Sequence, residues 1–167
     1  MKTILVFLLG GTMLLSCHRG VWVSKDAYRP RKPEFSILQE KFQGNTLINT
    51  SFVYVSTHHY INFDKAAIYD YTGFYSDGRM IGFDVNTSER NDANKINTWQ
   101  TADIIGYYTT YGNRVKVQYF VPGNGGQYLT REGFIRKDTI ILHDVSDKLF
   151  KREITYDTLV ISGNPLE

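Results

Sequence analysis

The run RVKVQYFV at 114–121 constrains this chain more than any other stretch. Val115, Val117, Tyr119 and Val121 alternate with Arg114, Lys116 and Gln118, and a period of two puts the apolar side chains on one face of an extended strand. Runs of similar character, rich in Tyr, Phe, Val, Ile and Thr, follow one another from about residue 45 onward. They are NTSFVYVSTHHY at 49–60, IYDYTGFY at 68–75, RMIGFDV at 79–85, ADIIGYYTT at 102–110, QYLTREGFIRK at 127–137, TIILHDV at 139–145 and FKREITY at 150–156. No long stretch has a helical period. The chain therefore reads as all-β, with about eight strands.

The connections support an antiparallel order. Ser76-Asp77-Gly78 and Tyr111-Gly112-Asn113 are short and contain Gly, as tight hairpins require, and Lys137-Asp138 and Ser146-Asp147-Lys148 are also short. Only 61–67 and 86–101 are longer. Consecutive strands joined in this way make an up-and-down meander, and eight is the strand number at which a small barrel closes and loses its exposed edges. The architecture over 47–156 resembles the lipocalin-like, calycin-type group of small β-barrels, which includes lipid-anchored bacterial members. GFYSDGRMIGF and DIIGYYTTYGNRVKVQYF carry that resemblance. It does not extend to the lipocalin Gly-x-Trp mark, because Gly20-Val21-Trp22 lies three residues after Cys17, far ahead of the first strand run.

Ahead of the strands lies a different kind of sequence. Lys2 gives a positive start, and Ile4 to Leu15 is an apolar run of signal-peptide length, short of the about 20 residues a membrane span needs. It ends in Leu14-Leu15-Ser16-Cys17, which resembles the lipobox of bacterial lipoproteins. The resemblance implies that residues 1–16 are a signal peptide, that Cys17 is acylated and becomes the new N-terminus, and that membrane lipid is a partner. Several acyl chains exceed what stable anchoring needs. His18 stands where Asp would mark inner-membrane retention in some bacteria, so the outer membrane is favoured. Cys17 is the chain's single cysteine, which excludes an intramolecular disulfide.

Residues 17–44 then read as a lipidated N-terminus and spacer, and 45–167 as the barrel domain. The spacer holds Pro30, Pro33 and a possible helical turn or two in EFSILQEKFQ at 34–43. Its basic cluster, YRPRKP at 28–33, is either a solvated tether or a contact for anionic headgroups. Removing 1–16 leaves eighteen basic and seventeen acidic side chains, a balance that offers no field for nucleic acid.

Within the barrel, tyrosines suit a ligand wall because each offers a ring and a hydroxyl. Tyr69, Tyr71 and Tyr75 share one face by parity, and Tyr119 lies on the apolar face of its strand; they line a pocket or simply pack. Arg152 shares parity with Phe150, Ile154 and Tyr156, which would turn a guanidinium inward to receive an anionic head or to plug the barrel. Trp99, at the end of the polar stretch 86–101, suits a pocket rim, a partner contact or a cap on the open end. Asp70 and Asp84 can meet across a hairpin or face solvent.

Catalytic signatures are missing from the sequence. There is no Gly-x-Ser-x-Gly elbow, no His-Glu-x-x-His and no phosphate-binding glycine loop. His58 and His59 are neighbours on a strand and point to opposite faces, so no spacing indicates a metal. No cofactor is implied, and the expectation is a non-enzyme that binds a small hydrophobic or amphipathic ligand. The alternative is a filled β-domain that works through contacts with an envelope protein. If the lipobox reading holds, Cys17→Ala abolishes labelled-palmitate incorporation and releases the chain from the membrane fraction; label retained on the variant would refute it.

Overall fold

The structure, a computed structural model, describes residues 20–22, 28–30, 33–39, 42, 47–61, 67–86, 98–100, 102–122, 126–145 and 156–165. Cys17, the apolar run before it and Arg152 lie outside them. Two short strands, β1 (Gly20–Trp22) and β2 (Tyr28–Pro30), pair with each other, and a 3-10 turn follows at Ser36–Gln39. Eight longer strands come next: β3 (Phe52–Ile61), β4 (Ala67–Phe74), β5 (Arg79–Asn86), β6 (Ile104–Tyr111), β7 (Arg114–Val121), β8 (Gln127–Arg136), β9 (Thr139–Asp144) and β10 (Tyr156–Pro165). Each pairs antiparallel with the next, and β10 also pairs with β3, so the sheet is a closed barrel with no free edge among these strands.

The all-β, eight-stranded, up-and-down barrel expected from the sequence is thus the observed fold. Seven of the eight runs coincide with strands to within a few residues. Of the eighth run, 150–156, only Tyr156 is among the described residues; there the last strand, Tyr156–Pro165, begins, and Asp157, Leu159 and Ile161 carry the alternation that completes the wall. The hairpins follow the turn chemistry. Gly78 takes φ +89, Gly112 takes φ +59, and Lys137 accepts the left-handed region at φ +53. In the first of these turns the Asp77 carboxylate accepts from Arg79 N at 3.1 Å and from Arg79 Nε at 2.7 Å, which fixes the loop.

Two apolar clusters hold the wall from opposite sides. The inner one fills much of the lumen with Tyr54, Phe74, Tyr108, Val115, Ile135, Ile140, Leu142 and Leu159. The outer one comprises Phe35, Ile37, Val53, Tyr71, Ile81, Phe83, Ala102, Ile105 and Phe120. This explains why β5 and β6 read as nearly continuous apolar runs, whereas one-sided strands alternate: both of their faces are covered.

The outer cover comes from the segment expected to be a spacer. Where it is described it is not a free tether: Phe35 and Ile37 are buried against the barrel, and Gln118 Oε1 accepts from Ile37 N at 3.1 Å. Arg29, from the basic cluster, is buried too and donates to the Gln100 carbonyl at 3.1 Å and the Trp99 carbonyl at 3.4 Å. Desolvation there lowers its pKa from the usual arginine value.

Close strand packing depends on glycine at one inner position. Gly133 faces Val115 and Leu142, and a Cβ there would run into the Ile141 carbonyl oxygen. Gly133→Ala should therefore destabilise the barrel by about 2 kcal/mol, read as a lower urea midpoint; an unchanged midpoint would contradict the packing.

Candidate functional site

The barrel has unlike ends. At one end β4–β5, β6–β7 and β8–β9 are joined by the tight turns around Gly78, Gly112 and Lys137. At the other end the four longer connections leave and return. Inward positions near that second end do not fill the lumen. They enclose a cavity of about 240 Å³. Its floor and sides are apolar, with Met80, Ile104, Val117, Val121, Leu129, Leu142 and Leu159, while Asp70, Asp84, Arg131 and Asp157 supply polar groups to its lining. Gly82 adds space because it has no side chain.

Arg131 reaches that position because β8 alternates Leu129, Arg131, Gly133 and Ile135 on its inner face, so a guanidinium falls in an apolar register. Its Nε donates to Asp144 Oδ1 at 3.0 Å and its Nη1 to Asp157 Oδ2 at 3.1 Å. Asp157 Oδ1 in turn accepts from Ser56 Oγ at 2.6 Å and lies 3.8 Å from His58 Nδ1. Burial alone would lower the Arg131 pKa, but Tyr119 and the two carboxylates outweigh it and raise it. The guanidinium also sits 5.6 Å from the centre of the Tyr119 ring, within cation–π range.

Tyr119 is 8 % exposed and lines the cavity. Burial pushes its pKa up to about 12, with Arg131 opposing and Asp144, Asp157 and Asp70 adding to the rise. The phenol is neutral and keeps its proton for donation. Among the described residues its hydroxyl has no hydrogen-bond partner.

Asp70 and Asp84 stand directly opposite each other across β4 and β5, both exposed at the rim. Like charges so placed are destabilising. Although Asp70 is open to solvent, the protein around its carboxyl limits hydration; this effect first, then the charge and hydrogen bond of Asp84 and the charge of Asp157, raises its pKa to about 6 against the pull of Arg131. Burial and Asp84 also raise the pKa of Asp103.

The residues expected at a site are not gathered together. Tyr119 is at the cavity. Tyr71 belongs to the wall beside it, but its ring stacks on Phe83, centroids 5.5 Å apart, in the outer cluster. Tyr75 and Trp99 also pack against the outer cluster, with the Arg79 guanidinium 5.1 and 5.4 Å from their rings. Trp99 further meets Tyr107 at 5.4 Å, so it braces the wall from outside. Tyr69 pairs through its backbone with His59 and Val85; its side chain, like Arg152, lies outside the described residues. The inward cation is Arg131. The parity argument made for Arg152 would have found it, since it applies with equal force to QYLTREGFIRK.

No protein-family model matches the chain, and no curated protein or solved structure shows significant similarity to it. Fold and site together define the class: a small closed β-barrel with a partly open lumen, apolar below and acidic at its mouth. Among the described residues no group of three or more His, Cys, Asp or Glu is arranged to hold a metal.

The rim carries a pH dependence of definite sign. The folded chain holds a proton on Asp70 up to about pH 6, the unfolded chain only to the usual carboxylate range, so this group's contribution is fully favourable below about pH 4 and is lost as pH rises through 6. Asp70→Asn should flatten the thermal-stability profile between pH 4 and 7 and stabilise the fold by about 0.5 kcal/mol at pH 8. A variant less stable at pH 8 than at pH 4, by as much as the parent, would show that Asp70 is not responsible.

Proposed function

We propose that this chain is a lipid-anchored envelope protein, held through acylated Cys17, whose lipocalin-like barrel binds a small amphipathic molecule without catalysing a reaction on it. The observation that carries the reading is the cavity: an eight-stranded barrel either fills its lumen with side chains or holds one small ligand, and about 240 Å³ of this lumen is left open. An apolar floor with a few polar groups at the mouth is the usual composition of a small-molecule site. Anchoring rests on Lys2, the apolar run and Leu14-Leu15-Ser16-Cys17, and the outer membrane on His18.

Catalysis finds no support in the site. Arg131, Asp144 and Asp157 are engaged with one another, and the Ser56 hydroxyl donates to Asp157 Oδ1 at 2.6 Å, so these side chains form a structural network around the cavity. The filled-domain alternative would make the protein an interaction or assembly partner instead.

Native mass spectrometry of the protein taken from its own envelope, before and after organic extraction, tests the reading. The expected result is a discrete non-covalent mass lost on extraction, with the acyl mass retained. A chain that carries no such mass and takes up none from envelope lipids would displace the carrier reading in favour of a partner-binding lipoprotein.

A further inference from the structure

The polarity of the cavity mouth restricts what can sit there. Asp70, Asp84 and Asp157 border the cavity and Asp144 stands beside it, against a single arginine among the described lining residues, Arg131. That guanidinium already donates to Asp144 and to Asp157. An incoming carboxylate or phosphate would have to displace a fixed carboxylate from Arg131 while approaching Asp70 and Asp84. A cationic head meets the reverse situation, since a positive charge beside Asp70 and Asp84 relieves the repulsion between two opposed carboxylates.

A second observation does not depend on charge counting. Tyr119 is more than nine-tenths buried, its side chain lines the cavity, and its hydroxyl has no hydrogen-bond partner among the described residues. That hydroxyl is not sealed from solvent, so it is open to the cavity, and a ligand N–H placed there would donate to its oxygen. Asp70 and Tyr119 both line the cavity, so the two groups face a shared space.

Size narrows the choice further. The cavity, at about 240 Å³, falls below the usual range of about 300–1,000 Å³ for drug-sized ligands. A whole diacyl lipid does not fit. Resting on the reading of the cavity as a ligand site, we propose that its ligand is a small protonated amine. The ammonium lies against the Asp70 carboxylate with the Tyr119 hydroxyl as a second acceptor, and a short alkyl chain or single ring rests on Met80, Val117 and Leu159.

Three probes of equal length test this by calorimetry at pH 7.5: hexylammonium, hexanol and hexanoate, titrated into the full chain held in phosphatidylcholine nanodiscs, with empty discs subtracted. Hexylammonium is expected to bind at least tenfold more tightly than either of the others, and Asp70→Asn to remove that preference. Asp84→Asn provides the same readout should Asp70→Asn unfold, and near-ultraviolet circular dichroism checks each variant. Val121→Trp, which fills the cavity from its side, should abolish binding of all three. Equal or reversed affinities that Val121→Trp still blocks would overturn the amine proposal and leave the cavity site standing. A preference that survives both Asp variants would overturn it as well. Binding of none of the probes, or binding indifferent to Val121→Trp, would overturn the site and the amine together.

Discussion

The number of strands governs this molecule. Eight strands closing on themselves fix a lumen just wide enough for side chains to meet across it, so every inward position must either supply bulk or leave space. Near the tight turns the chain supplies bulk with aromatic rings. Phe74 meets Tyr108 at 5.1 Å and Tyr54 at 5.6 Å, edge to face, and Phe42 meets Tyr108 at 5.4 Å. Both tyrosines settle their hydroxyls: Tyr108 donates to the Tyr75 carbonyl at 2.8 Å, and Tyr54 accepts from Asn49 N at 2.9 Å. Toward the other end the inward residues shrink to valine, leucine and glycine, and space appears.

A hollow of this kind survives only if the wall around it cannot collapse. Here the wall is braced from outside by Phe35, Ile37, Ile81, Phe83, Ile105 and Phe120, with Trp99 and Arg79 extending the brace. Edge-to-face contacts of Phe35 with Tyr107 and with Tyr128, at 5.2 and 5.3 Å, tie the N-terminal segment to β6 and β8. The wall is thus packed on two faces over β4 to β7, where an ordinary small barrel has one face in water.

This division of labour accounts for what could be read in the sequence. Strand number, order and turns were legible because they depend on local chemistry: Asp77-Gly78 makes its hairpin, and Val115, Val117 and Tyr119 alternate on β7 as their strand requires. The site was only partly legible. Parity groups Tyr71 with Tyr75 but does not say which face is the lumen, and the apolar outer cover made the outward face look like a core face. The pairing of Asp70 with Asp84 could be anticipated from the hairpin. Asp157 could not, because it required the last strand to be placed at 156–165. The engagement of Arg131 by Asp144 and Asp157 joins β8, β9 and β10, and no spacing along the chain records it.

The seam of the barrel has a consequence in time. β10, the last strand in chain order, is hydrogen-bonded on one side to β9, its predecessor, and on the other to β3, about a hundred residues earlier. Partial chains can build the meander from β3 to β9, yet they keep two unsatisfied borders and an unsealed interior until Tyr156–Pro165 is made. The closed barrel is therefore withheld until the chain has been made through Pro165.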